Sequence, residues 1–224
     1  MASSPPSPPV PSVPDRVSVP VEPAPHVVLV GLMGSGKTTV GRKLARLIAR
    51  PFVDADAELE LTSGRSVADW FADGEEAFRR VEGEVLSSLV ATTEPIVIGA
   101  GGGVVVSAEN RATLAGPRVV VVYLHGEPGF LASRAQARAH RPLLADTDPL
   151  VVFHRLYEQR DQWYREVAAA VVEVRPAHEA GERPKWRLAE QVAEALLDLG
   201  VTDRSQLAEA EVLAADADAV GRKS

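Results

Sequence analysis

Two kinds of apolar pattern alternate along this chain. Short blocks with little polar interruption occur at 26–30, 51–54, 95–99, 118–124 and 171–174, and between them apolar residues recur at every third or fourth position. Uninterrupted blocks suit strands covered on both faces, whereas a period of about 3.6 marks a helix with one buried stripe. The periodic segments predict helices over 37–49, 56–62, 66–72, 75–91, 107–115, 127–138, 149–168 and 186–199. In the first of these, Val40, Leu44, Leu47 and Ile48 share a face. Strands separated by helices imply a three-layer α/β/α fold around a central five-stranded parallel sheet. Ligands of such sheets gather at the carboxyl ends of the strands, so the residues just after each strand are the ones to examine.

The two ends of the chain lack this alternation. Nine of the 17 prolines fall within residues 1–25, which predicts a disordered, proline-rich extension, either an inert leader or an arm that binds a partner. The globular part is expected from His26 to about Gly200, followed by an acidic, alanine-rich and flexible tail at 201–224. A chain of 224 residues with 46% apolar and 25% charged residues is an ordinary globular protein with room for one domain. Its net charge of −7 gives no global attraction to nucleic acid, so any phosphate-binding cations must be gathered locally. No cysteine is present, which excludes disulfides, thiolate zinc sites and a cysteine nucleophile, and fits the cytoplasm. No apolar stretch approaches the ~20 residues of a membrane helix, and no basic leader with an apolar core opens the chain. A cytoplasmic monomer without membrane or nucleic-acid partners is expected.

After the first apolar block stands Gly31-Leu32-Met33-Gly34-Ser35-Gly36-Lys37-Thr38, the pattern GxxxxGK[ST] of a nucleoside-triphosphate loop, with a strand before it and a helix behind it as the motif requires. Glycines let successive N–H groups and a helix N-terminus face the phosphates, here over Gly34, Ser35, Gly36, Lys37, Thr38 and Thr39. Lys37 then reaches the β- and γ-oxygens and the Thr38 hydroxyl holds Mg²⁺. The chain is expected to bind a nucleotide.

Other strand ends also carry chemistry. Asp54 and Asp56, two apart in what reads as an extended segment, direct their carboxylates the same way. One can order the water shell of Mg²⁺ while the other takes a proton, or Asp56 can simply cap the next helix. Gly101, Gly102 and Gly103 strip the third strand end of side chains, which makes either a substrate floor or a plain loop. Arg79 and Arg80 pair with Glu75 and Glu76 at i,i+4 spacing and read as surface residues, as does Arg160. Within 133–148, Arg134, Arg138, His140 and Arg141 cluster between two helices, as a lid over bound phosphates or as a solvated basic linker.

In order and spacing these motifs resemble shikimate kinase, of the nucleoside-monophosphate-kinase-like branch of phosphate-loop proteins. The likeness spans about 27–175 and includes GLMGSGKTTVGRKLA at 31–45, FVDAD at 52–56, SGRSVADWFADGEEAFRRVE at 63–82, GGG at 101–103, RPLL at 141–144 and the arginine within LYEQRDQWYREVA at 156–168. The resemblance implies transfer of the ATP γ-phosphoryl group to the 3-hydroxyl of shikimate, with one Mg²⁺. It gives Lys37, Asp56 and Arg141 catalytic roles, with Asp56 as the natural acceptor of the hydroxyl proton. It places Asp54 near the metal shell, and Arg79 and Arg160 on the shikimate carboxylate. It lines the substrate with Gly101, Gly102 and Gly103, puts Arg141 of the lid on the transferring phosphate, and lays Arg134 along the adenine. Two departures stand out. Ala100 is smaller than the residue expected before the glycines, and 175–187 is longer than the adenine-side loop, leaving Pro184 without a firm assignment. Competing readings are a gluconate or nucleoside-monophosphate kinase, a nucleotide-binding regulator without catalysis, and a module acting through the proline-rich arm.

Overall fold

The computed structural model describes residues 24–136, 148–205 and 207. Most of the extension at 1–25, most of the lid at 133–148, and residues 206 and 208–224 of the tail lie outside the described residues. Along the chain run β1 (His26–Val30), α1 (Lys37–Leu47), β2 (Phe52–Asp54), α2 (Ala55–Ser63), α3 (Val67–Ala72), α4 (Glu75–Val90), β3 (Val97–Gly99), α5 (Ala108–Leu114), β4 (Val119–His125), α6 (Pro128–Gln136), α7 (Pro149–Val167), β5 (Ala170–Glu173), α8 (Val174–Glu179) and α9 (Pro184–Asp198). The strands form one sheet in the order β2-β3-β1-β4-β5, with every pairing parallel. Val28 faces Ile98 on one side and Val121 on the other, so β1 is central. The chain leaves β1 toward one edge and later crosses to the other, which makes the carboxyl end of β1 the switch point where a ligand settles.

Side-chain alternation along β1 sorts the core into two layers. Val28 and Val30 join a cluster with Leu59 of α2, Phe78 and Leu86 of α4, Leu114 of α5, and Phe153 and Tyr164 of α7. Val27 and Leu29 point the other way and pack with Val40 and Leu44 of α1, Ala177 of α8, and Leu188 and Val192 of α9. All five residues of β1 are buried, including His26, whose Nδ1 accepts a hydrogen bond from the Ile96 N–H at 3.3 Å.

The expected strands and helices are present with ends shifted by a few residues, and one element is new. The segment after β5 continues directly into α8, which the sequence reading left as loop. Pro176 occupies its first turn, where a missing N–H has no intrahelical partner to lose. Packing also runs past Gly200. Thr202 is buried, Leu207 packs on the second core layer, and the Arg50 guanidinium donates to Pro25 O at 2.8 Å and Val201 O at 2.9 Å, tying both ends of the domain together. Among the described residues no helix is long and apolar enough to cross a membrane.

Candidate active site

The loop between β1 and α1 takes the form its glycines allow. Gly36 is the N-cap of α1 at φ 108, a left-handed conformation that side chains resist, and no side chain caps the helix there. The first-turn N–H groups therefore face outward, ready for an anion. Lys37 Nζ donates to the carbonyls of Gly31 at 2.7 Å and Leu32 at 3.2 Å, folding its ammonium back over the loop. Ser35 is fully buried beneath the loop, and its N–H donates to Leu32 O. A pocket of about 250 Å³ is lined by Gly34, Gly36, Lys37, Thr38 and Thr39, together with Asp54, Asp56 and Gly102.

Asp54 and Asp56 do not share an extended strand as the sequence suggested. Asp54 closes β2 and is the N-cap of α2, its Oδ1 accepting from the N–H groups of Asp56 and Ala57, while Asp56 sits inside the first helical turn. The cap is thus Asp54, which leaves the Asp56 carboxylate to point into the site. The other Asp54 oxygen accepts from the Thr38 hydroxyl at 2.7 Å. A hydroxyl and a carboxylate so close together at a phosphate pocket form a hard-oxygen donor set that suits Mg²⁺. Burial pushes the Asp56 carboxyl above the usual range; Lys37 opposes this and the charge of Asp54 adds to it.

A second cavity of about 830 Å³ opens beside the first, and Met33, Asp56 and Gly102 line both. Its walls carry Arg79, Glu82, Gly101, Gly103 and Arg160, with Phe71, Phe78 and Trp163 as apolar panels. Arg79 is no surface residue: its side chain is 13% exposed, donating to Glu82 Oε2 at 2.8 Å and Glu75 Oε1 at 3.1 Å. Its guanidinium lies 5.0 Å from the Phe78 ring centroid, and Phe78 stacks on Phe71. From α7, Arg160 Nη1 donates to Gly102 O at 2.9 Å, and the buried Tyr164 hydroxyl donates to the same carbonyl. Residues from α2, α4, α7 and the β3–α5 loop therefore converge, as the resemblance implied and the local pattern did not.

Glu82 was missed altogether. It is 4% exposed, and its Oε1, which lacks a hydrogen-bond partner, points at Gly101. Burial raises its carboxyl above the usual range against the pull of Arg79. A signal existed in the sequence: Glu82 lies on the apolar stripe of α4 formed by Phe78, Val85, Leu86 and Leu89, where a carboxylate needs a reason.

Arg134 stands in the last turn of α6, its guanidinium 5.5 Å from the Phe130 ring centroid, and it lines neither cavity. Arg141 lies outside the described residues.

The sequence and the fold have known counterparts. A sequence model of the family described as shikimate kinase matches residues 33–199. The shikimate kinase of Dechloromonas aromatica (strain RCB) is 46% identical over 149 residues, which covers 66% of this chain and 80% of that protein. The shikimate kinase of Nitrosococcus oceani is 40% identical over 168 residues, 75% of this chain and 84% of the relative. Among solved structures, the shikimate kinase from Acinetobacter baumannii in complex with shikimate aligns with a TM-score of 0.69 at 36% identity, over 78% of this chain and 93% of that one. Matched from within the phosphate loop to just past the end of α9, the chain belongs to the shikimate kinase family.

Proposed function

We infer that this chain transfers the γ-phosphoryl group of ATP to the 3-hydroxyl of shikimate, giving shikimate 3-phosphate and ADP in chorismate and aromatic amino-acid biosynthesis. The observation that carries the residue roles is that Asp56 lines both the phosphate pocket and the larger cavity, where a donor phosphate and an acceptor hydroxyl meet.

The loop N–H groups from Gly34 to Thr39 cradle the phosphates, and Lys37 moves its ammonium from the loop carbonyls onto the β- and γ-oxygens. Arg79 and Arg160 grip the acceptor's carboxylate; their planar forks match a carboxylate in a way an ammonium cannot. Gly101, Gly102 and Gly103 leave space for the ring, and the Arg160 and Tyr164 bonds to Gly102 O hold that floor in place. The 3-hydroxyl oxygen then forms its bond to the γ-phosphorus as the bond to the ADP oxygen breaks, and the hydroxyl proton passes to Asp56. Burial makes Asp56 a stronger base than an ordinary carboxylate, which suits that transfer. Thr38 would hold one Mg²⁺ with Asp54 ordering its water, and the ion's chemistry would be to neutralise phosphate charge. Arg134 is assigned to the adenine and Arg141 of the lid to the transferring phosphate. Positioning and charge stabilisation supply most of the rate in such a reaction. ATP and shikimate are the proposed partners, with no nucleic acid or membrane, and the chain is proposed to act as a cytoplasmic monomer.

The test is release of ADP from MgATP with and without shikimate. Strong dependence on shikimate supports the reading. ATP binding with release indifferent to shikimate, but dependent on another acceptor such as gluconate, overturns it.

A further inference from the structure

The segment 175–187, which the motifs left without a role, brings one cation to the phosphate loop. Lys185 is the second residue of α9, directly after Pro184. A Cβ built on Gly36 would stand 2.5 Å from Lys185 Nζ and 3.5 Å from Lys185 Cε. The ammonium therefore rests on the bare face of the glycine that caps α1 and lines the phosphate pocket. The turn that carries it is firmly set. Trp186 takes Lys43 Nζ of α1 at 4.2 Å from its ring centroid and the Arg183 guanidinium at 5.5 Å. Arg183 is held at φ 57, a left-handed conformation that a side-chain-bearing residue keeps only when its surroundings impose it. The imidazole of His178 on α8 is kept below its ordinary pKa first by burial, against the bond to Val174 O, with the charges of Arg134 and Lys185 adding to the lowering.

We propose that Lys185 is a contact for the trailing phosphates of the nucleotide, the α- and β-groups, supplied by α9 in addition to Lys37 of the loop. The γ-group must point at Asp56 and the acceptor cavity, whereas Lys185 lines neither that cavity nor the phosphate pocket beside it and meets the loop at Gly36, behind both. Lys185 instead approaches the loop from the layer that holds α1, α8 and α9. Its ammonium is a compact charge on a flexible stem, suited to a phosphate that changes position and charge during transfer. The inference rests on the kinase reading above.

The experiment measures binding of ADP, AMP and adenosine to the full chain and to Lys185→Met by titration in magnesium at two salt concentrations, alongside steady-state kinetics. ADP and AMP are expected to weaken on the order of tenfold, the size of one lost charged hydrogen bond. Adenosine should be unchanged, and the salt dependence of ADP binding should flatten. The KM for ATP should rise far more than kcat falls, the KM for shikimate should hold, and Lys185→Arg should recover most of the loss. Lys185→Gln is the companion variant should the methionine form fail to fold. If both charge-removing variants bind ADP and AMP as the parent does, or bind them more tightly, Lys185 is not a phosphate contact and this inference is overturned. Failure of the unaltered chain to release ADP in response to shikimate would instead strike at the kinase reading.

Discussion

Glu82 Oε2 accepts from Arg79 Nη1 at 2.8 Å one turn away on α4, while its other carboxylate oxygen points at Gly101. The carboxylate thereby fixes the guanidinium fork that lines the larger cavity. Glu82→Gln removes the charge and keeps the shape, so Arg79 should loosen without leaving the site. A charge-assisted hydrogen bond is worth roughly 1.5–3 kcal/mol, about ten- to a hundredfold. The KM for shikimate should rise toward that range with the KM for ATP unchanged. Steady-state kinetics with each substrate varied would reveal an indifferent shikimate KM if Arg79 orients itself unaided.

Gly101 has no room for a side chain. Its Cβ would stand 2.5 Å from Glu82 Oε1 and 2.9 Å from Asp56 Oδ1, between two carboxylates that both line the larger cavity. Gly101→Ala must displace one or both, at an overpacking cost of about 1–3 kcal/mol. A lower melting temperature is expected together with a loss in kcat/KM for shikimate of more than about tenfold. Parental melting and kinetics would show that the loop yields without harm.

Tyr164→Phe deletes only the hydroxyl that Tyr164 gives to Gly102 O, and Arg160 still donates to that carbonyl. The expected loss is about 1 kcal/mol, severalfold in kcat/KM for shikimate, with ATP parameters unaffected. A change in the KM for ATP alone would contradict the assignment of Tyr164 to the acceptor side.

The raised pKa of Asp56 makes two opposite demands on one variant. A carboxyl whose folded pKa exceeds its unfolded value contributes its stabilisation below the unfolded value, and loses it as pH rises through the folded one. Ionised Asp56 therefore weakens the ligand-free fold at neutral pH. Asp56→Asn should melt higher than the parent at pH 7, with the advantage shrinking as pH falls through the raised folded value and gone below about 4, the ordinary carboxylate value. The same variant should lose most of kcat. The parent's activity should fall on acidification at a pH above that ordinary value. Thermal melts across pH and a pH–kcat profile check both; a lower melting point at pH 7 would contradict the first.

The parts of the fold that were legible in the sequence are those written locally. The apolar run of β1, the glycines of its loop and the stripe of α1 lie within 26–48, and their geometry follows from neighbours in the chain. Asp54 and Asp56 show where such reading stops, because their spacing is the same in a strand and at a helix start, and only the cap bonds distinguish them. Arg79 and Arg160 sit on different helices, each with plausible surface partners, so their convergence is a tertiary fact that only the family resemblance suggested. Glu82 and Lys185 escaped even that. α8 was left within the loop at 175–187 because its six residues are too few to show a helical period, and its Pro176 is tolerated only because it falls in the first turn.

The two-sided packing of β1 has a consequence for how such an enzyme can diverge. Val28 and Val30 anchor the layer that carries Phe78 and Tyr164, neighbours of Arg79 and Arg160, whereas Val27 and Leu29 anchor the layer of α1 and α9 behind the phosphate loop. Substitutions among the helices on one face can therefore reshape the larger cavity while the packing of α1 on α9 behind the phosphate loop is kept.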